Sequence, residues 1–230
     1  MNNIMTKIIS FANQKGGVGK TTTAVNLSAA LAEAGQSVLA IDFDPQGNLS
    51  SGLGIDKLNT EKTIYEVIIG DENINDAILS TEVENLDIIP SNVDLSGAEI
   101  ELLELEDRER TLRRKISEIY KEYDYIIIDC PPSLSLLTIN AFMASDSVVI
   151  PIQCEYYALE GLSQMTETIS MVKDALNPDL TIEGILFTMY DSRNLLSQEV
   201  VKAVQEHFSD PIFKTIIPRN VRLAEAPSHV

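Results

Sequence analysis

The sequence predicts an α/β fold in which a mostly parallel β-sheet is covered by helices on both faces. Three observations support this prediction. Short β-branched runs alternate with helical patterns along the 230-residue chain, as in successive βα units. Several of these runs are apolar throughout, as expected for strands buried on both faces. Hydrophobic residues make up 44% of the chain, which is enough for one large core, so we expect residues 1–230 to form a single domain.

The elements follow one another in a regular order. In TLRRKISEIYKEY at residues 111–123, apolar residues recur with the period of an amphipathic helix, and we expect this helix to pack on the core. The predicted strands are Lys7–Ala12, Ser37–Asp42, Leu86–Pro90, Tyr125–Asp129, Ser147–Ile152, Thr181–Met189 and Phe213–Ile216.

The net charge of −18 argues against non-specific binding to nucleic acid by the chain as a whole, because contacts of Lys and Arg with phosphate supply most of the affinity in such binding. The charge is unevenly distributed. Residues 56–110 carry 16 acidic and four basic side chains, a local balance of −12. In residues 193–222, five basic side chains outnumber three acidic ones. This basic segment is interpreted either as a small basic face or as ordinary solvated surface.

The hydrophobic pattern predicts a cytoplasmic protein without a membrane span. The longest apolar runs, such as SVVIPI at residues 147–152, are far shorter than the roughly 20 residues of a membrane helix. The first residues, MNNIMTKIIS, lack the charged segment and long apolar stretch of a signal peptide. The two cysteines, Cys130 and Cys154, lack the spacing of metal or redox motifs.

A glycine-rich segment, NQKGGVGKTT at residues 13–22, leaves the first predicted strand and enters a helical pattern. Such a turn directs backbone N–H groups and the helix N-terminus at one point, which creates an anion cradle. Gly19, Lys20 and Thr21 match the end of the P-loop pattern G-x-x-x-x-G-K-[ST], whose lysine contacts phosphates and whose hydroxyl holds Mg²⁺. Gln14 stands where the pattern requires its first glycine. The segment therefore predicts a phosphate-binding loop that departs from the common pattern at one position.

A second lysine, Lys15, stands at the start of this loop. One lysine is sufficient for phosphates bound within a single subunit. If two subunits met across their nucleotides, Lys15 of one would contact the phosphates of the other, in trans, like an arginine finger. Considered alone, Lys15 would be an ordinary solvated loop lysine. The motifs around it favour the role in trans.

Aspartates end two of the predicted strands, and open α/β sheets bind ligands at the carboxyl ends of their strands. YIIID ends with Asp129, the arrangement by which Walker B strands present a carboxylate to Mg²⁺. Asp42 and Asp44 follow SVLAI. Asp44 lies beyond its strand, so we predict that it orients the attacking water, whereas Asp42 is predicted to be structural or supporting. Lone aspartates at strand ends are commonly caps or turn residues, but together with the loop lysines these form a candidate catalytic set.

Four segments, in order, resemble the deviant Walker A ATPases of the ParA/Soj partitioning branch. They are KGGVGKTT at 15–22, DFDPQGN at 42–48, IIIDCPPS at 126–133 and IPRNVRLAEAPS at 217–228. The resemblance spans nearly the whole chain and implies an ATPase that uses ATP and Mg²⁺ and forms a homodimer when ATP is bound. It also implies that the Pro-Arg-Asn segment packs on the adenine. The implied nucleotide-binding residues are Lys15, Gly16, Gly17, Val18, Gly19, Lys20, Thr21, Thr22, Pro218 and Asn220.

The same resemblance implies roles in catalysis. Lys15 is the signature lysine that acts across the dimer, and Lys20 contacts the phosphates. Asp44 is required for hydrolysis, and Asp129 is the switch II carboxylate. The residues implied around Mg²⁺ are Thr21, Asp44 and Asp129.

The resemblance extends to partners. Arg193 and Arg222 match arginines through which family members bind double-stranded DNA without sequence preference, which favours the basic-face interpretation. The implied protein is nucleoid-associated, has no stable membrane association and is stimulated by a ParB-type centromere-binding protein. A basic arm of that partner would complement the acidic residues 56–110. Relatives usually continue with a further strand and a final helix after EAPS, so we expect this chain to lack both.

Three other classes that share the double-lysine loop or the fold remain alternatives. A MinD-like cell-division ATPase closes its cycle on a membrane through a C-terminal amphipathic helix, and no such helix follows AEAPSHV. An iron–sulphur reductase of the nitrogenase iron protein kind needs suitably spaced cysteines, which Cys130 and Cys154 do not supply. For a metabolic ligase such as a dethiobiotin synthetase, only the lack of an evident small-substrate site counts against the assignment.

Overall fold

The protein is described by a computed structural model over residues 6–57, 59–70 and 72–226. Within these ranges the chain forms one mixed sheet. Its strands are β1 (Lys7–Phe11), β2 (Val38–Asp42), β3 (Leu79–Ser80), β4 (Leu86–Ile89), β5 (Tyr125–Asp129), β6 (Ser147–Gln153), β7 (Thr181–Tyr190) and β8 (Ile212–Pro218). Their order across the sheet is β3-β4-β2-β5-β1-β6-β7-β8, and only the β3–β4 pair is antiparallel.

Helices connect the strands. The α-helices are α1 (Lys20–Glu33), α2 (Asn48–Gly52), α3 (Ile64–Ile68), α4 (Leu95–Glu101), α5 (Thr111–Ile116), α6 (Leu136–Ala144), α7 (Ala158–Ala175), α8 (Leu195–His207) and α9 (Val221–Glu225). Three short 3₁₀ turns lie at Ile74–Ala77, Leu102–Glu104 and Arg108–Arg110. In the described ranges, no helix is both long and apolar enough to cross a bilayer.

The apolar side chains form two buried clusters, one on each face of the sheet. Alternate residues of each strand point to opposite faces, so Ala40 joins one cluster while Leu39 and Ile41 join the other. Helices α1 and α2 cover the first face, and α3 to α8 contribute to the second. The predicted α/β fold with helices on both faces is therefore confirmed.

Strand β1 lies at the centre of the sheet, between β5 and β6, and β2 lies beyond β5. Register pairs Phe11 with Asp129 and Asp129 with Asp42. Because these strands are parallel, the residues that follow them emerge at the same edge of the sheet. From β1 the chain first continues to β2 on one side of the sheet and later to β6 on the other side. Open α/β sheets bind ligands where the strand order reverses in this way.

Seven strands were predicted from sequence and all are present, with ends that agree to within two residues. The two-residue strand β3 was not predicted. The predicted helix at 111–123 was wrong beyond Ile116. Its continuation is replaced by side-chain bonds, because Asn75 Nδ2 donates to the Glu118 carbonyl and Asn75 Oδ1 accepts from Tyr120 N, each at 2.9 Å. Glu118 N and Ile119 N donate to the carbonyls three residues earlier, so the helix ends in a turn that a distant asparagine also contacts.

Candidate functional site

The loop that leaves β1 and enters α1 has the conformation of an anion cradle. Gly17 and Gly19 adopt left-handed backbone angles, with φ of 73° and 86°, which glycine adopts at no steric cost. Gly19 precedes the 14-residue helix α1 and no side chain caps that helix. The first N–H groups of α1 therefore remain available to an anion.

Two buried polar side chains fix this loop to the neighbouring strands. Asn13 Nδ2 donates to the Pro151 carbonyl of β6 at 2.7 Å, and Asn13 Oδ1 accepts from Lys15 N at 2.9 Å. On the other side, the Thr188 hydroxyl of β7 donates to the Val18 carbonyl at 2.7 Å. Sequence reasoning missed both anchors, although Asn13 and Thr188 each stand at the carboxyl end of a predicted strand.

Lys20 is buried at the start of α1, and its Nζ donates to the Lys15 carbonyl at 3.2 Å. Burial lowers the pKa of Lys20, while the negative charges of Asp129 and Asp44 act in the opposite direction. The ammonium group is thus held inside the loop, with carboxylates close by. This placement supports the predicted contact of Lys20 with phosphates.

Thr21, the next residue, is joined to the end of β5. Its hydroxyl donates to Asp129 Oδ2 at 2.6 Å. Asp129 is fully buried, and its other oxygen, Oδ1, has no hydrogen-bond partner. Burial raises the pKa of Asp129 well above its usual range, and the nearby Asp42 carboxylate raises it further. The structure therefore brings these two predicted site residues together, and leaves one buried oxygen unpaired beside the hydroxyl.

Asp42 and Asp44 lie at the end of β2 and differ in their surroundings. Asp42 Oδ2 accepts bonds from the Ser50 N–H and hydroxyl, both at 2.7 Å, and burial raises the pKa of Asp42 to about 6. Asp44 is also buried, and its Oδ1 accepts from Gln46 N at 3.0 Å. Asp42 thus ties β2 to α2, as its predicted supporting role requires. Asp44 lies near enough to influence the charge state of Lys20; its role towards water stays a prediction.

A cavity of about 330 Å³ opens beside the loop and reaches the end of β8. Pro218 and Asn220, the residues implied at the adenine, both line it, and the Asn220 side chain also caps α9 by accepting from Arg222 N at 2.9 Å. Met189 has a φ of 49° at the cavity wall, which is rare for a residue other than glycine. The lining residues are Gly19, Thr22, Thr23, Thr188, Met189, Ile217, Pro218, Arg219, Asn220, Val221 and Leu223.

The two arginines predicted to bind DNA lie at the end of the sheet. Register pairs Tyr190 of β7 with Pro218 of β8, and Arg193 and Arg222 follow these residues by three and four positions. Both arginines are exposed. The Arg193 guanidinium donates two bonds to the Asp191 carboxylate, at 3.0 and 2.9 Å, and it lowers the pKa of Asp191 to about 2. Arg193 is thus partly neutralised by its neighbour.

Comparison with known proteins places this geometry in a family. The AAA domain family matches residues 6–182. The sporulation initiation inhibitor protein Soj of Bacillus subtilis is 58% identical over 225 residues, which cover 98% of this chain and 89% of that protein. The chromosome partitioning protein ParA of Myxococcus xanthus is 56% identical over 222 residues, covering 96% and 78% of the two chains. The chain belongs to the ParA/Soj family. The resemblance inferred from the four sequence motifs is confirmed.

Solved structures similar to this ParA/Soj family member contain nucleotide. One is the structure of cobyrinic acid a,c-diamide synthase from Mycobacterium smegmatis with bound ADP and magnesium. It has a TM-score of 0.90 and 40% identity, and the match covers 97% of this chain and 92% of the other. Another is a plasmid partition protein from Borrelia burgdorferi bound to AMPPNP, with a TM-score of 0.83, 29% identity, and coverage of 97% and 90%.

The ParA/Soj site fits a magnesium ion as well as a nucleotide. The unpaired Asp129 Oδ1 and the Thr21 hydroxyl are oxygen donors, the type that Mg²⁺ prefers. Among the described residues, no group of three His, Cys, Asp or Glu side chains is arranged to hold a metal. Mg²⁺ usually keeps several waters and binds through one or two protein groups plus substrate phosphates. Thr21 and Asp129 would therefore hold it together with phosphate and water.

Proposed function

We propose that this ParA/Soj family member is an ATP-dependent DNA-partitioning ATPase. In its ATP-bound state it forms a homodimer that binds double-stranded DNA without sequence preference, and a ParB-type centromere-binding protein stimulates hydrolysis. The observation that carries this proposal is the convergence of Lys20, the Thr21–Asp129 pair and Asp44 at one edge of the sheet. That arrangement supplies positive charge, oxygen ligands and a carboxylate around the phosphate position.

Each residue of this cluster has a distinct chemical task in the proposal. Lys20 and the first N–H groups of α1 stabilise negative charge on the phosphates. Thr21 and Asp129 would hold Mg²⁺, which would supply positive charge to the phosphates. Asp44 accepts a hydrogen bond from the attacking water and orients it. The tight anchoring of the loop by Asn13 and Thr188 keeps these groups in place before the nucleotide arrives.

The position of Lys15 supports the dimer. Its side chain lies against the connection into α7, where its Nζ is 5.2 Å from the ring centroid of Tyr157, while Lys20 occupies the inside of the loop. One lysine thus serves the subunit's own phosphates and the other is available to a second subunit. Lys15 would then stabilise the transferring phosphoryl group in trans.

Dimerisation also explains how an acidic chain binds DNA. A single pair of arginines, with Arg193 partly neutralised by Asp191, offers weak affinity for phosphate. Two copies joined by nucleotide would present Arg193 and Arg222 twice along one duplex, and linked weak sites bind much more tightly than either alone. ATP would therefore switch DNA binding on, and hydrolysis would switch it off.

The sequence relatives favour partitioning over an amidation reaction. The partitioning names belong to proteins that are 58% and 56% identical to this chain, whereas the synthase name belongs to a structure at 40% identity. The plasmid partition protein at 29% identity has the same fold.

Sedimentation of the chain with Mg²⁺ and either AMPPNP or ADP tests the proposal. We expect a monomer with ADP, a dimer with AMPPNP, and no dimer for Lys15→Ala. Lys173→Ala, which removes an exposed lysine of α7, is the matched control and should behave as the unchanged chain. A monomer under all nucleotide conditions would contradict the proposal.

A further inference from the structure

The side chain of Lys15 makes two contacts within its own subunit. Its aliphatic part passes over Gly161 in the first turn of α7, where an added Cβ would lie 3.4 Å from Lys15 Cε and 3.8 Å from Cδ. Its ammonium group lies 5.2 Å from the centroid of the Tyr157 ring. A lysine ammonium within about 6 Å of a ring centroid is attracted by the negative face of the ring. The stem of Lys15 therefore packs along the first turn of α7, with its ammonium group at the Tyr157 ring.

The Tyr157 ring is not needed to fill the core. Tyr157 is 62% exposed, and its neighbour Tyr156 is 76% exposed. The two rings meet edge to face, with centroids 5.1 Å apart and planes at 89°. Exposed aromatic rings leave apolar area in contact with water and add little to core packing. Surface contacts therefore explain the placement of Tyr156 and Tyr157 more directly than core packing does. Only one of the two rings contacts Lys15 among the described aromatic contacts.

We infer that Tyr157 is a positioning residue that keeps Lys15 within its own subunit until two ATP-bound subunits meet. This inference rests on the proposed function, in which Lys15 contacts the nucleotide of the partner. To reach a second nucleotide, the ammonium group has to leave the Tyr157 ring. A charge-assisted contact with a phosphate is stronger than one exposed cation–π contact. When the partner holds ATP, the Lys15 ammonium group therefore exchanges the Tyr157 ring for a phosphate. When the partner holds no ATP, the contact with the ring opposes association of the subunits.

Three variants separate the effect of the Tyr157 ring from that of the surrounding surface. Tyr157→Leu removes the ring that contacts Lys15, and Tyr157→Phe retains it. Tyr156→Leu removes a ring of the same kind from the adjacent exposed position. In the presence of AMPPNP and Mg²⁺, we expect Tyr157→Leu to lower the dimer dissociation constant by about five- to thirtyfold, because one exposed cation–π contact is removed from each of the two subunits. The dissociation constants of Tyr157→Phe and Tyr156→Leu should match that of the unchanged chain.

A spectroscopic measurement reports the contact directly. In the nucleotide-free chain labelled with ¹³C-lysine, the ring current of Tyr157 should shift the ε-methylene resonance of Lys15 upfield. Lys15→Arg identifies that resonance by its disappearance. The shift should be lost in Tyr157→Leu, and it should be lost in the unchanged chain when AMPPNP forms the dimer. A change in folding alone would not produce this pattern in a single lysine.

The outcomes are distinguishable. If the unchanged chain dimerises with AMPPNP but Tyr157→Leu has an equal or weaker dimer, the positioning role is overturned and the proposed function stands. An ε-methylene resonance of Lys15 without an upfield shift in the nucleotide-free chain overturns the positioning role as well. If the unchanged chain does not dimerise with AMPPNP, the proposed function fails, and the positioning role fails with it.

Discussion

The Thr21 hydroxyl donates a hydrogen bond to Asp129 Oδ2 at 2.6 Å, and this bond joins the start of α1 to the end of β5. The other carboxylate oxygen of Asp129 is buried without a partner. A buried, unpaired oxygen costs free energy unless something else satisfies it. In this site a magnesium ion with its waters would supply that interaction. The Thr21–Asp129 pair therefore joins two elements of the fold and also carries the oxygens proposed to bind magnesium.

Thr21→Val removes the hydroxyl and retains the shape of the side chain. It leaves Asp129 without its hydrogen bond and removes the oxygen that we propose as a Mg²⁺ ligand, so we expect nucleotide affinity in the presence of Mg²⁺ to fall by about tenfold or more. Titration of a fluorescent ATP analogue with and without EDTA measures this effect. Thr168→Val, which makes the same change on α7, should leave binding unchanged. Equal affinity of Thr21→Val and the unchanged chain at saturating Mg²⁺ would exclude Thr21 as a ligand.

Lys20→Met removes the buried ammonium group while retaining most of the apolar stem. Because the proposed charged hydrogen bond to phosphate is lost, we expect ATP affinity to decrease by about ten- to a hundredfold. Calorimetric titration with AMPPNP measures the change, and circular dichroism checks that the fold is intact. Lys7→Met is the control, because Lys7 forms an ion pair with Glu183 at 2.7 Å on another part of β1. Full ATP affinity in Lys20→Met would refute the phosphate-loop assignment.

Asp44→Asn retains an oxygen that accepts from Gln46 N but removes the negative charge. If Asp44 orients the attacking water, turnover should fall by about a hundredfold or more, while ATP affinity is retained and the ATP-bound dimer accumulates. Phosphate release and sedimentation with ATP measure the two effects. Asp174→Asn on α7 is the control for an exposed carboxylate. Unchanged turnover in Asp44→Asn would remove Asp44 from the mechanism.

Arg222→Ala and Arg193→Ala should weaken DNA binding without affecting ATP affinity. Loss of one phosphate contact should reduce the slope of log affinity against log salt by about one for each contact. Asp191→Asn should have the opposite effect, because it frees the Arg193 guanidinium from its two bonds to Asp191. Fluorescence anisotropy with random-sequence duplex DNA at several salt concentrations tests all three. Parallel loss of ATP and DNA binding in Arg222→Ala would place that residue at the nucleotide.

The sequence was most informative where function depends on local spacing. The phosphate loop was predicted because its glycines, Lys20 and Thr21 are consecutive, and Asp129 because it ends a fully apolar strand. The partner of each group was harder to predict. The bond from Thr188 to the loop joins residues 170 positions apart, and no periodic pattern identifies such a contact.

Contacts between residues far apart in the sequence also explain the errors in the predicted secondary structure. Apolar residues from 111 to 123 have helical spacing, yet the helix ends at Ile116, and the Asn75 side chain bonds to the backbone at Glu118 and Tyr120. Strand β3 has only two residues and no detectable alternation. Tertiary contacts decided both cases. They also place Lys15 against Tyr157, a contact that the spacing of the loop did not indicate.

Binding to random-sequence duplex DNA with AMPPNP, with ADP and without nucleotide tests the central claim most directly, at low and at moderate salt and with liposomes as a parallel surface. The account predicts DNA binding only with AMPPNP, weakened by salt, and no liposome binding. Liposome binding without DNA binding, or DNA binding that is indifferent to nucleotide, would contradict it.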